Sequence, residues 1–267
     1  MKVADLTVAI PFHAGTRPEE LSASIESIVN QTLLPKHLIL VQNGDVPEEL
    51  SRIAQKLEPF PFEFDQIRVP KPGLPAALNA SLELTRTRYY ARMDSDDISH
   101  PNRFEVQMAY MTAHPETRIL GGSAYEFTTT QGLDYLVPKE MPTDPRIMRE
   151  WFHYRNPFIH TSIVFDMRVF KEIDPYDETF ITDQDLEMWG RALKAGVEVA
   201  NVPDFVVYFR TDEMIRKRSK QGAVWRQAKA RFRYNTCSIR LNILKLAALS
   251  FRLMPMWIRE FGYKRMR

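Results

Sequence analysis

Seven short runs rich in β-forming residues alternate with segments of helical period, and this alternation restricts the chain to a mainly parallel sheet with helices on both faces. The expected strands are Leu6 to Phe12, His37 to Val41, Phe64 to Val69, Tyr89 to Met93, Ile119 to Phe127, Thr161 to Phe165, and Val197 to Phe209 with a break at Pro203. Between them, Leu21, Ile25, Ile28 and Val29 form one apolar stripe of a helix over Glu19 to Gln31. Phe104, Met108 and Met111 do the same after Pro101. Asp144 reads as the cap of a helix with Pro145 at its first position and Ile147, Met148, Trp151 and Phe152 buried. A further helix carries Leu186, Trp189 and Leu193 and stops at Gly196, a residue suited to a left-handed C-terminal turn.

A chain of 267 residues is long enough for one large domain with an appendage. Cys237 is the single cysteine, so a metal site must be built from oxygen or imidazole, and a reducing compartment fits. Asp5 and Pro11 interrupt the first apolar run, which therefore reads as a strand and not as a signal peptide, with the mature protein expected to begin at or near Met1. The longest apolar stretch, Leu241 to Phe251, is interrupted by Lys245 and falls short of the roughly 20 residues a spanning helix needs. Net charge is only +2, yet fifteen Lys and Arg stand against Glu260 alone after Glu213, leaving 21 basic and 33 acidic residues before it. An acidic body thus carries a basic tail, able to meet anionic lipid, nucleic acid or an anionic ligand of the body itself.

The stretch RYYARMDSDD, Arg88 to Asp97, places three acids within four residues at the end of an expected strand. Open α/β sheets bind ligands outside the carboxyl ends of their strands. Residues two apart on an extended segment face the same way, so Asp94 and Asp96 can converge on one hard divalent cation, Mg²⁺ or Mn²⁺, while Ser95 turns aside. The positive partner that such clustered acids require is expected from outside the sequence. The alternative is a polar turn in which Asp97 or Ser99 merely caps the following helix.

The string ARMDSDDISHPNRFEVQ, Ala91 to Gln107, closely resembles the donor-site segment of family 2 glycosyltransferases of the GT-A fold, especially those that build bacterial surface polysaccharides. Supporting pieces follow in the family's order: IPFHAG, SIVNQTLLPKHLILVQNG, GLPAALNASLE, NPFIHTSIVF and DQDLEMWGRALKAG, so that the resemblance covers about residues 5 to 220. It implies a GT-A catalytic domain over 1–213, with a mainly parallel mixed sheet and helices on both faces, followed at 214–267 by a basic lid segment and amphipathic C-terminal helices. It also implies that Asp94 contacts the nucleotide of a sugar donor and that Asp96, with Asp94, holds Mn²⁺ or Mg²⁺ on its diphosphate, while Asp97 supports the loop. Pro11 would lie against the nucleotide. Asn43 stands where similar enzymes carry an Asp that meets the base, and it can still read uracil through its donor and acceptor atoms. His13 replaces the family's usual Tyr.

Transfer with inversion requires a carboxylate across the site to take the acceptor's proton. Similar enzymes place it in a Glu-Asp pair before a helix bearing Trp and Arg, and Trp189 and Arg191 set that pair on Gln184 and Asp185. Asp185 is thus the expected base and Asp183 the reserve, although Thr182 to Asp185 also reads as a capping box at a helix start, where the dipole lowers a carboxyl pKa. The segment YFRTDEMIRKRSKQG resembles the family's closing segment, in which Arg216 and Arg218 would clamp the diphosphate. A solvated charge run is the alternative there. His160 lacks a second His or Cys at ligand spacing and reads either as a structural residue or as an acceptor contact.

In the tail, Ile243, Leu244, Ala247, Phe251 and Met254 share one helical face, with Asn242, Lys245 and Arg252 on another, followed by Trp257 and Tyr263. Such a stretch can lie in a membrane interface or pack on protein. No motif for nucleic acid accompanies it. The expected activity is a metal-dependent inverting glycosyl transfer from a nucleotide-diphosphate sugar, a UDP-sugar first, to a saccharide or polyprenyl-diphosphate-linked saccharide. The expected setting is O-antigen, capsule or exopolysaccharide synthesis in the cytoplasm, peripheral on the membrane's inner face. Alternatives are a non-catalytic sugar-nucleotide-binding protein, given Asn43 and Gln184, and a nucleotidyltransferase, which would want a Gly- and Lys-rich loop where this chain has HAGTRPEE.

Overall fold

A computed structural model describes residues 2–57, 59–212, 223–251 and 253–254. The strands are β1 (Val3–Phe12), β2 (Leu34–Asn43), β3 (Glu63–Val69), β4 (Tyr89–Arg92), β5 (Ile98–Ser99), β6 (Ile119–Phe127), β7 (Val137–Lys139), β8 (Val164–Asp166) and β9 (Val199–Arg210). The α-helices are α1 (Pro18–Val29), α2 (Glu48–Ser51), α3 (Ile53–Leu57), α4 (Leu74–Leu84), α5 (Arg103–Ala113), α6 (Pro145–Tyr154), α7 (Gln184–Ala195), α8 (Ala223–Arg231) and α9 (Ile239–Phe251). Among the described residues the strands join in one sheet of order β3-β2-β1-β4-β8-β6-β9-β5, with β7 on β6.

The β3-β2-β1-β4 half is parallel throughout. From β1 the chain winds outward through β2 and β3, then returns to place β4 on the other side of β1. The winding reverses there, and the crevice outside the ends of β1 and β4 is where open sheets of this kind seat ligands. Beyond β4 the sheet is mixed: β8 runs antiparallel to both β4 and β6, and β6 pairs parallel with β9.

Successive residues of β1 are buried on opposite faces. Val8 and Ile10 pack with Leu21, Ile25 and Phe104 on one side; Ala9 joins Leu78, Met148 and Trp189 on the other. A strand covered on both faces is uniformly apolar and does not alternate, which is why the first run reads without polar interruption from Val8 to Phe12 except at Pro11. Each such fully buried aliphatic side chain contributes about 1.5–3 kcal/mol relative to exposure.

Helix starts follow local chemistry. Pro18 opens α1 with Glu19 and Glu20 in its first turn, and the Asp144 carboxylate accepts from the Arg146 N–H at 2.7 Å to cap α6. Gly196 ends α7 at φ 76°, the left-handed turn expected of it.

Three expectations need correction. The run Thr161 to Phe165 is not strand from its start: His160–Ser162 form a 3-10 turn and β8 covers Val164–Asp166, because the Ser162 hydroxyl bonds back to the Ile159 carbonyl at 2.8 Å. Pro203 does not break β9; the ladder to β6 shifts register opposite Gly122 and Ser123 and continues. Ile147 lies outside the buried stripe of α6, at 45 % exposure.

Lys245, midway along α9, is buried and donates to the Arg231 and Tyr234 carbonyls and to Asn235 Oδ1 at 2.9–3.1 Å. It closes the C-terminal end of α8, where unpaired carbonyls attract a cation. Packing of α8 on α7 and of α9 on α6 seats this side inward. As a result Ile239, Ile243, Leu246 and Leu253 are exposed at helical spacing on the opposite side. No helix among the described residues is long and apolar enough to cross a membrane.

Candidate active site

The acids follow β4 directly. Asp94, Asp96 and Asp97 each bring a carboxylate oxygen within 4.8 Å of the others. The segment is a turn and not extended as expected, its Asp97 N–H reaching back to the Asp94 carbonyl at 3.4 Å, and Ser95 within it is buried with its hydroxyl 3.3 Å from that of Thr16. Asp97 is not a helix cap: it is buried, and its Oδ1 accepts the Arg210 N–H at 2.8 Å. Its Oδ2 is enclosed without a hydrogen-bond partner. Burial first, then the neighbouring Asp96 and Asp94, push the Asp97 carboxyl well above its usual range.

Such a set of hard oxygen donors, one of them enclosed and unpaired, fits Mg²⁺ or Mn²⁺, whose charge would relieve the mutual repulsion. One positive partner is nevertheless inside the sequence. Arg92, the last residue of β4, is buried and pairs through Nη2 with Asp94 Oδ1. Arg103, also buried, donates to the Arg92 carbonyl at 3.0 Å and to Gln107 Oε1 at 3.1 Å, holding the end of the strand.

A lattice of hydrogen bonds fixes the acid loop. Ser24 of α1 donates to the Asp94 carbonyl at 2.9 Å, and Ser27 Oγ accepts the Ser99 N–H at 3.0 Å. Gln31 donates to the His100 carbonyl at 2.7 Å and accepts the Phe104 N–H at 3.2 Å. Arg210, ending β9, donates from Nε to the Asp96 carbonyl at 2.8 Å. These supporting residues were not singled out in the sequence, although Ser24, Ser27 and Gln31 recur every three or four positions beside the apolar stripe of α1. A polar row next to a buried face is a readable signal.

Asp185 lies in the first turn of α7. Asn156 donates to its Oδ2 at 2.7 Å. Its carboxyl is raised, by burial first and then by Asp183, while the Leu186 N–H, Asn156 and Arg92 oppose the shift. Desolvation therefore outweighs the helix dipole that would have lowered it. The capping box does not form. Asp183 is the N-cap, in the left-handed region at φ 62° with no side-chain cap, and its Oδ1 accepts from Gln227 Nε2 of α8 at 2.5 Å.

His160 is bonded through Nε2 to the Tyr176 hydroxyl at 2.8 Å, and burial followed by Arg92 drives its pKa well below the usual value, so the ring is neutral. The charges of Asp185, Asp94 and Arg92 all act on Tyr176. Pro11 is buried near the end of β1 beside Val41. Asn43, ending β2, uses Oδ1 to accept the Gly73 N–H at 2.8 Å, an architectural bond ahead of α4. His13, also on the rim, accepts the Gly15 N–H at 2.9 Å. Arg216 and Arg218 lie outside the described residues, as do Trp257 and Tyr263. A groove of about 620 Å³ lies apart from the acids, lined by Asn79, Glu83, Phe170, Tyr176 and Arg191.

Comparison with known proteins agrees with this architecture. A family model described as Glycosyl transferase family 2 matches residues 7–174. The chain is 31% identical to the amylovoran biosynthesis glycosyltransferase AmsE of Erwinia amylovora, covering 97% of this chain and 98% of that one. It is 26% identical to the UDP-Gal:alpha-D-GlcNAc-diphosphoundecaprenol beta-1,3-galactosyltransferase of Escherichia coli, over 97% and 95% of the two chains. The crystal structure of S. aureus TarS 1-349 in complex with UDP-GlcNAc superposes with a TM-score of 0.67 at 14% identity, covering 94% of this chain and 72% of that one. That last likeness concerns the fold. With the acids at the sheet's switch point and a family match over more than half its length, the chain belongs to glycosyl transferase family 2 and has the GT-A fold.

Proposed function

We propose that this glycosyltransferase moves a sugar, with inversion, from a UDP-sugar to a saccharide carried on a polyprenyl diphosphate, in the assembly of a bacterial surface polysaccharide. Residues 1–213 form the catalytic unit and 214–267 the lid and tail. The observation that carries the reading is that Asp94, Asp96 and Asp97 gather their carboxylates within 4.8 Å where the winding of the sheet reverses, while a separate element, α7, carries Asp185 bonded to Asn156. The relatives' names, one with a UDP-sugar and a diphosphoundecaprenol-linked acceptor and one in amylovoran biosynthesis, support the choice of donor, acceptor and setting.

In this reading Asp94 and Pro11 hold the nucleotide, with Asn43 beside the base, and Arg216 and Arg218 take the diphosphate. Asp96 and Asp94 would hold Mn²⁺ or Mg²⁺, which supplies positive charge to the departing diphosphate. Asp185, oriented by Asn156, removes the proton of the acceptor hydroxyl. That oxygen bonds to the anomeric carbon from the face opposite the diphosphate, whose bond to the sugar breaks with its electron pair retained on phosphate oxygen. Asp183 stands in reserve as base. His160, neutral and fixed by Tyr176, offers a ring edge to the acceptor.

Peripheral seating on the inner face of the cytoplasmic membrane fits the exposed Ile239, Ile243 and Leu246 of α9 and Leu253 just beyond it, on a helix that carries no acidic residue. The decisive experiment follows UDP release from a panel of UDP-sugars with Mn²⁺, with and without lipid-linked acceptor. Asp185→Asn is expected to keep donor affinity and lose turnover. Acceptor-independent binding with no turnover at all would instead mark a binding protein, and pyrophosphate exchange a nucleotidyltransferase.

A further inference from the structure

The side chains that would ordinarily cap α7 are turned away from it. Thr182 Oγ1 accepts from Arg226 Nε at 2.6 Å and Asp183 Oδ1 from Gln227 Nε2 at 2.5 Å, so both reach α8 and neither closes the helix start. Asp183 keeps only the backbone part of that role, its carbonyl accepting the Glu187 N–H at 3.0 Å. It does so at φ 62°, the one left-handed residue other than glycine among the described residues. A residue with a side chain holds that conformation where its surroundings fix it. Here Gln227, itself buried, is bonded directly to it. Two residues further on stands Asp185.

One turn along α8, Arg231 grips the other support of Asp185. Its Nη1 donates to the Phe152 carbonyl in the last turn of α6 and, at 3.2 Å, to the Arg155 carbonyl just after it. The next residue is Asn156, whose amide donates to Asp185 at 2.7 Å. Carbonyls at the end of a helix have no donor within it, and a buried guanidinium satisfies them. The helix that carries both groups is closely seated: Ala230 is fully buried, and a Cβ on Gly190 of α7 would stand 3.2 Å from the Ala230 carbonyl. Residues four apart lie on one side of a helix, so Gln227 and Arg231 reach the two supports from the same face.

We infer that α8 is a positioning element of the transfer site: through Gln227 it holds the start of α7, through Arg231 it holds the carbonyl ahead of Asn156, and together these place Asp185 and the amide bonded to it. The inference rests on the proposed role of Asp185. It extends the site to a helix beyond the residues 7–174 that the family model matches.

Gln227→Met, Gln227→Lys and Arg231→Met test it in the full-length protein. Gln227→Met removes the donor at nearly constant length, and the Asp183 side chain, 17 % exposed, keeps its access to water, so this variant is expected to fold. The readouts are kcat for UDP release with lipid-linked acceptor, UDP affinity with Mn²⁺ by calorimetry, and the side-chain amide ¹⁵N–¹H signal of Asn156, identified as the one missing from Asn156→Ala. Gln227→Met and Arg231→Met are expected to lower kcat about tenfold, to leave UDP affinity within about twofold, and to move the Asn156 signal. Gln227→Lys returns a donor to Asp183 and is expected to recover most of the loss. If Arg231→Met does not fold, the two Gln227 variants decide. Wild-type kcat in Gln227→Met, UDP affinity reduced as far as kcat, or an unmoved Asn156 signal overturns the inference, as does a Gln227→Lys no better than Gln227→Met. If Asp185→Asn retains turnover, the proposed base is wrong, whereas the Asn156 signal still reports whether α8 holds that amide.

Discussion

Asn156 Nδ2 donates to Asp185 Oδ2 across 2.7 Å, joining the loop after α6 to the first turn of α7. The same Asn accepts the Phe158 N–H through Oδ1 at 3.2 Å, so its amide is held at both ends and cannot swing away from the carboxylate. Orientation and charge are therefore set together.

Because burial raises the Asp185 carboxyl and Asn156 opposes that rise, a base at this position must be ionised to act and loses activity as pH falls through its folded-state value. The acid limb of kcat/KM is expected above the ordinary aspartate range of about 4. Asn156→Ala should shift that limb upward and lower kcat roughly tenfold at neutral pH, with donor KM little changed. A pH–rate profile of both proteins measures it.

Asp96→Ala should abolish the Mn²⁺-dependent part of UDP binding and leave the fold intact, since the backbone contacts of this loop come from Ser24, Arg210 and Thr161. Titration calorimetry with and without Mn²⁺ reports the difference.

Asp97 gives a stability prediction of definite sign. Its folded-state pKa is raised, so its contribution favours folding below its unfolded pKa and is progressively lost as pH rises through the folded value. At pH 7 without divalent ions, Asp97→Asn should therefore unfold a few degrees higher than wild type. Adding Mn²⁺ should narrow the gap. Thermal melts at pH 5 and pH 7 check both statements.

Lys245 is lowered to about 8 by burial, then by Arg231. With a folded value below the unfolded one, burying its charge costs most below about 8, and stability should rise as pH climbs from there toward 10.5. Lys245→Met strands three acceptors and should cost about 2 kcal/mol, read by denaturant unfolding.

Ile243→Glu with Leu246→Glu should remove binding to vesicles containing phosphatidylglycerol while sparing UDP affinity. Co-sedimentation measures the loss. Retained binding would place lipid contact elsewhere on the chain.

Much of this was legible in the sequence because its information is local. Runs such as Val8 to Phe12 declare strands buried on both faces, and Asp144-Pro145 declares a helix start. The acids Asp94 and Asp96 do converge, but through a turn that also gathers Asp97 and not through the two-residue spacing of an extended strand. What escaped depends on partners far along the chain. Arg92 reads as a strand residue until the fold buries it, and its pairing with Asp94 becomes visible only once solvent is excluded. Asn156 and Tyr176 are unremarkable letters that gain roles from Asp185 and His160. Which way α9 faces was not legible because a lysine is normally solvated; three carbonyl-type acceptors at the end of α8 reverse that preference.

Strand β8 enters the sheet head-on to β4, with Val164 opposite Ala91. The leading end of one therefore meets the trailing end of the other at the rim, and the two sides of the crevice are supplied by chain arriving from contrary directions. Residues 155–163 tie the two sides together, Asn156 donating to Asp185 while Thr161 accepts the Asp94 N–H. Exchange of that short stretch between relatives should therefore disturb both carboxylates at once, a dependence that follows from a single strand laid backwards.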